Sequence, residues 1–138
     1  MRLLALLLLV IATVSNPAAA DPDAAALAAM QSVIRQQVAA FARDDGDAAF
    51  SFASPTIQAK FGNADAFLSM VAASYRPVYR PRKLTFLEVR EIDGKPVQRV
   101  LVEGPAAELV MALYPMVMVD GQWRINGCYL VRPPGEGA

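Results

Sequence analysis

The chain has 138 residues, with 13 basic and 13 acidic side chains, one cysteine and no histidine. Without imidazole there is no Ser-His-Asp or Cys-His pair, no histidine base and no zinc site of the usual mixed kind. One cysteine allows no internal disulfide, CxxC redox pair or iron–sulfur cluster, and a formal net charge of zero gives no broad positive field for nucleic acid.

Met1 and Arg2 precede an apolar run from Leu3 to Val14, then Ser15-Asn16-Pro17 and Ala18-Ala19-Ala20, with acidic Asp21 following. A basic start, a short apolar stretch and an A-x-A site predict a cleaved signal peptide over residues 1–20, and hence a periplasmic or secreted protein. The apolar run is shorter than the roughly 20 residues a spanning helix needs, so no membrane span is expected after cleavage. The sole cysteine, Cys128, is far from the cleavage site, which speaks against a lipoprotein. Residues 21–132 read as a single domain and 133–138 as a flexible tail with nothing to bury.

Asp21-Pro22-Asp23 is a helix start, and Leu27, Met30, Ile34, Val38 and Phe41 recur at steps of three and four behind it. Asp44-Asp45-Gly46-Asp47 ends this helix, with Gly46 expected in the left-handed conformation and Asp45 or Asp47 capping a short second helix that carries Phe50 and Phe52. Ser54-Pro55 breaks that helix. After a short segment holding Ile57 and Phe61, Asn63 caps a third helix whose Phe67, Met70, Val71 and Tyr75 share a face. Pro77 and Pro81 then predict extended backbone at Arg76 and Arg80.

Two hairpins follow: Asp93-Gly94 between Leu84–Ile92 and Val97–Glu103, and Asp120-Gly121 between Leu109–Val119 and Trp123–Val131. Pro115 has no ladder donor, so its strand should bulge, bend or lie at an edge. Alternation along the last strand puts Trp123, Ile125, Gly127 and Tyr129 on one face and Arg124, Asn126, Cys128 and Leu130 on the other. Helices first and strands afterwards predict an α+β fold, N-terminal helices packed on a curved antiparallel sheet of about four strands.

The cluster Asp44, Asp45 and Asp47 lacks the spacing of an EF-hand loop and reads as a solvated turn with helix caps. In Tyr75-Arg76-Pro77-Val78-Tyr79-Arg80-Pro81 the Tyr-Arg-Pro unit occurs twice. It reads as a stiff connector, or as a grip for an anionic group through bidentate guanidinium forks. Cys128 is an inert buried thiol unless Arg124, two positions away along the same strand face, lowers its pKa. The methionines Met70, Met111, Met116 and Met118 suit a core or the wall of an adaptable apolar pocket.

The order of elements, with Phe50…Phe52-Ala53-Ser54-Pro55, the doubled Tyr-Arg-Pro and Asp120-Gly121…Trp123-Arg124-Ile125…Gly127-Cys128, resembles the small exported bacterial proteins of domain-of-unknown-function family 4864. The resemblance runs from about Ile34 to Leu130 and implies export and this fold, with no reaction attached. More distantly the layout is similar to the cone fold of nuclear transport factor two, the SnoaL cyclases and ketosteroid isomerase, which implies a cone-like sheet around an apolar cavity. The motif residues of the enzymes in that group do not map onto this chain.

The expected function is non-catalytic binding of a small apolar or amphipathic ligand in a cone-shaped cavity. Its expected lining is Tyr75, Tyr79, Met111, Tyr114, Trp123 and Cys128, with Arg80 or Arg124 meeting a polar or anionic end. Two alternatives stay open: a homodimeric structural or protein-interaction module, and a small lyase or isomerase with a buried carboxylate. No cofactor, metal or nucleic-acid partner is expected.

Overall fold

A computed structural model describes residues 23–135. The segment read as a signal peptide, 1–20, and tail residues 136–138 lie outside the described residues. The fold is α+β: five helices pack against an open, antiparallel sheet.

Helix α1 spans Ala24–Ala42, and Asp23 caps it by accepting from the Ala26 amide at 2.7 Å. It buries Met30, Ile34, Val38 and Phe41, the apolar stripe read from the periodicity. The left-handed residue that ends it is Asp44, at φ 54°, rather than Gly46. Aspartate tolerates that region better than most residues, and the Asp44 carboxylate is held there by Tyr79 and Arg80. Gly46 instead opens α2, Gly46–Ser51, capped by Asp45.

Ser54-Pro55 both ends one helix and starts the next. Ser54 caps α3, Pro55–Phe61, with Pro55 in the first turn, so the short segment holding Ile57 and Phe61 is a two-turn helix. Asn63 caps α4, Ala64–Ser74, through the Ala66 amide. The expectation of extended backbone at Arg76 is corrected: Arg76–Tyr79 forms the single-turn α5. Pro77 falls in its first turn, where a missing N–H leaves no bond unmade.

The strands are β1, Lys83–Ile92; β2, Lys95–Glu103; β3, Leu109–Val119; β4, Gln122–Ile125; and β5, Tyr129–Val131. They run in the order β1-β2-β3-β4, with β5 also paired to β3. Asp93 and Gly94 (φ 53° and 74°), like Asp120 and Gly121 (φ 50° and 78°), have the two positive φ angles of a type I′ turn.

Two bulges interrupt the ladders. In β1 the pairing steps from Phe86↔Val100 to Val89↔Gln98, one residue more on β1 than on β2. The fully buried Gln98 amide donates to the carbonyl of Leu87 in that bulge at 2.7 Å. The second bulge divides the strand expected over Trp123–Val131. β4 pairs with Met116–Val119 and β5 with Met111–Leu113, leaving Asn126-Gly127-Cys128 between them, opposite Tyr114-Pro115. Pro115 has no amide to give there, but its carbonyl accepts from the Asn126 amide at 2.8 Å. Bulges bend a strand and increase its twist, the geometry a curved sheet needs.

The core has two parts. Met30, Ile34, Val100, Val102, Ala112, Tyr114, Met116 and Ile125 join α1 to the inner sheet face. Ala40, Phe41, Ala49, Phe67 and Val71 form a second cluster among the helices, with Phe50 and Phe61 set against Phe67 at centroid distances of 5.4 and 5.6 Å. Helix α1 belongs to both.

Candidate functional site

Between these two clusters a pocket of about 140 Å³ opens, bounded by α1, α3, α4, α5 and the bulge between β4 and β5. Its walls are mainly apolar, with Phe41, Phe67 and Val71 from the helical cluster and Val78, Tyr114 and Ile125 from the sheet cluster. The pocket exists because the two clusters share α1 without closing on each other.

Its polar groups gather where the sheet bends. Tyr114 precedes Pro115 on the inner face of β3 and is 1% exposed; its hydroxyl is buried, has no oxygen or nitrogen partner among the described residues, and is left with the weakly hydrogen-bonding Cys128 thiol beside it. Burial raises its pKa well above the usual tyrosine value, and the neighbouring Cys128 thiol adds to this. The Cys128 thiol is itself pushed up to about 12 by burial, against a lesser opposing effect from Tyr114. Tyr75, at the junction of α4 and α5, also has a raised pKa, by burial first and then by Cys128 and Tyr129. At neutral pH all three keep their protons.

The bulge is fixed from the helical side. Asn126 accepts from the Ser54 hydroxyl at 2.7 Å, the Ser54 amide donates to the Ile125 carbonyl at 2.8 Å, and the Ile125 amide donates to the Phe52 carbonyl at 2.9 Å. Gly127 at φ 151° has a backbone conformation that side-chain-bearing residues rarely adopt. The insertion reverses the expected alternation. Trp123 and Ile125 face the helices as one set, but beyond Gly127 it is Cys128 and Leu130 that pack inward while Tyr129, 61% exposed, lies at the rim of the pocket.

Of the eight residues read as pocket lining, the structure brings Tyr75, Tyr114 and Cys128 together in this pocket. The other five lie elsewhere. Tyr79 and Arg80 lock the end of α1: both bond the Asp44 carboxylate, Arg80 stacks over the Tyr79 ring at 4.0 Å, and it also bonds the Phe41 carbonyl. Met111 is buried on the opposite sheet face, beside Leu113 and Val131. Trp123 packs against the sheet cluster, and Arg124 bonds Gln122 at 3.1 Å.

The cation at the pocket is Lys60, which periodicity did not single out. It stands in the last turn of α3, exposed, with its ammonium 5.6 Å from the centre of the Phe61 ring. Among the described residues it makes no ion pair, and the described lining contains no carboxylate. Reading Ser54-Pro55 as a helix start would have placed Lys60 and Phe61 in the same turn.

A family model described as a domain of unknown function, DUF4864, matches residues 23–138. The chain belongs to the DUF4864 family. The match takes in every element of this DUF4864 domain and leaves the apolar N-terminal segment outside. No curated protein matches the chain. Among the described residues no helix is long and apolar enough to cross a membrane.

Proposed function

We propose that this DUF4864 protein is an exported, periplasmic or secreted binding protein that holds a small, largely apolar ligand in the pocket between its helical and sheet clusters. The observation that carries the proposal is the Tyr114 hydroxyl. It has no oxygen or nitrogen partner, and a ligand oxygen or nitrogen that displaced the Cys128 thiol from it would satisfy it better. The apolar walls supply the rest of the affinity by burying the body of the ligand.

Binding rather than turnover is favoured by the protonation of the lining. A general base or nucleophile works best with a pKa near the operating pH, whereas burial moves Cys128, Tyr114 and Tyr75 away from it. The cone-like layout similar to nuclear transport factor two and the SnoaL cyclases supports a cavity of this kind. The apolar segment over Leu3 to Val14 supports export.

Native mass spectrometry of the untagged protein from the exported fraction tests the proposal. An extra mass that is lost on denaturation, and reduced in Tyr114→Phe, is the expected result. A bare mass in both, with no small apolar probe shifting the amide resonances around the pocket, would overturn it.

A second reading, assembly with a second copy through the outer sheet face, is favoured by Leu109 and Val131. Each is 42% exposed on the side where Leu101, Met111 and Leu113 also point. Sedimentation at several concentrations tests it, and a monomer throughout removes it.

A further inference from the structure

We infer that the pocket takes a small carboxylic acid about one aromatic ring in size, its carboxylate at Lys60 and a hydrogen-bonding oxygen at Tyr114. The inference rests on the pocket reading above and adds the chemical class of the ligand.

Three observations carry it. The volume, about 140 Å³, is close to the roughly 150 Å³ of a cavity that accepts benzene, which limits the body of the ligand to about one ring. The flanking side chains suit a flat, apolar body, since Phe41, Phe61 and Phe67 all line the pocket and the last two are packed 5.6 Å apart. The polar groups are of two separate kinds: an exposed ammonium on α3 and a buried hydroxyl on β3 with a thiol, and no oxygen or nitrogen, beside it.

The charge follows from the lining. Lys60 is the charged residue among the described lining, and no described acid neutralises it, so the local field favours an anion. Its position over the Phe61 ring keeps the ammonium beside a wall of the pocket. A neutral apolar ligand would leave this group unused, and a cation would be repelled. The two arginines expected to meet an anion are committed elsewhere, Arg80 to Asp44 and Arg124 to Gln122.

The test compares three probes, 4-hydroxybenzoate, the neutral 4-hydroxybenzyl alcohol and benzoate, titrated into the mature protein and into Lys60→Gln and Tyr114→Phe at neutral pH and low salt. Lys60 is exposed, so its replacement leaves the fold intact. The expected result is that 4-hydroxybenzoate binds about twofold to fivefold more tightly than the alcohol, the range for an exposed ion pair. That gap closes in Lys60→Gln and shrinks with added salt, while the alcohol's affinity is unchanged. Tyr114→Phe narrows the separate gap between 4-hydroxybenzoate and benzoate. Equal binding of acid and alcohol by the wild-type protein, or an equal loss of both in Lys60→Gln, overturns the acid assignment and leaves the pocket standing. If no probe binds and no pocket resonance moves, both the assignment and the pocket reading fall.

Discussion

Ser54 and Asn126, 72 residues apart in sequence, are joined by a hydrogen bond of 2.7 Å from hydroxyl to side-chain carbonyl. The same hydroxyl accepts from the Ile57 amide at 3.2 Å, so one oxygen both starts α3 and holds the bulge that shapes the pocket. Ser54→Ala therefore removes a helix cap and leaves the Asn126 carbonyl without its partner. We expect a loss of about 2 kcal/mol in urea unfolding, the sum of a typical cap and a net hydrogen bond. Asn126→Ala should cost less, because the cap survives.

The behaviour of Tyr114→Phe separates a binding role from a structural one. Deleting a buried hydroxyl whose polar neighbour is a weakly bonding thiol should change stability in the ligand-free protein by less than about 1 kcal/mol. A thermal melt that instead shows a loss of about 2 kcal/mol means that the hydroxyl has a partner within the protein.

Cys128 makes the protein sensitive to alkali. Its thiol pKa is raised from 9.0 to about 12, so folding gains from keeping the proton. That contribution is full below pH 9, where the unfolded thiol is also protonated, and is lost as pH rises from 9 through 12. In Cys128→Ala the fall of stability over this window should be shallower by up to one proton, measured by urea titration at successive pH values. The slope that remains includes Tyr114, whose pKa moves in the same direction. Iodoacetamide at pH 8 should label the native thiol far more slowly than the denatured one.

Acid tests the lock at the end of α1. The Asp44 carboxyl is held below its ordinary 3.8, first by the Tyr79 hydroxyl and then by Arg80, so the folded state favours the charged form. Its contribution is present above 3.8 and disappears as pH falls through the lowered value. Asp44→Asn should be less stable than wild type at neutral pH and should converge with it in acid. A constant difference at all pH values would show that the charge has no part.

Much of this fold is legible in the sequence because its signals are local. Asp23, Asp45 and Asn63 cap where their side chains predict, and both Asp-Gly pairs turn where they should. The pocket was less legible because its composition depends on a non-local detail. Strict alternation places Cys128 and Leu130 opposite Ile125, but the insertion at Asn126-Gly127 brings all three inward. The arginines of the doubled Tyr-Arg-Pro motif look available until Asp44, 36 residues before Arg80, is seen to occupy the second of them. Lys60 was hidden because its segment carried no assigned conformation, since a proline after a serine ends one element and begins another with equal ease.

The spare residue between β4 and β5 has a consequence for how such a domain can diversify. Side chains downstream of it are assigned to the interior or the exterior by a count, not by their own polarity. Losing Gly127 would restore simple alternation without exchanging the faces, because Cys128 would then stand two positions after Ile125 and still point inward, with Tyr129 outward as before. A single-codon deletion at this spot would therefore straighten the bend that bounds the recess while its inward side chains keep their faces and β1, β2 and β3 keep their register.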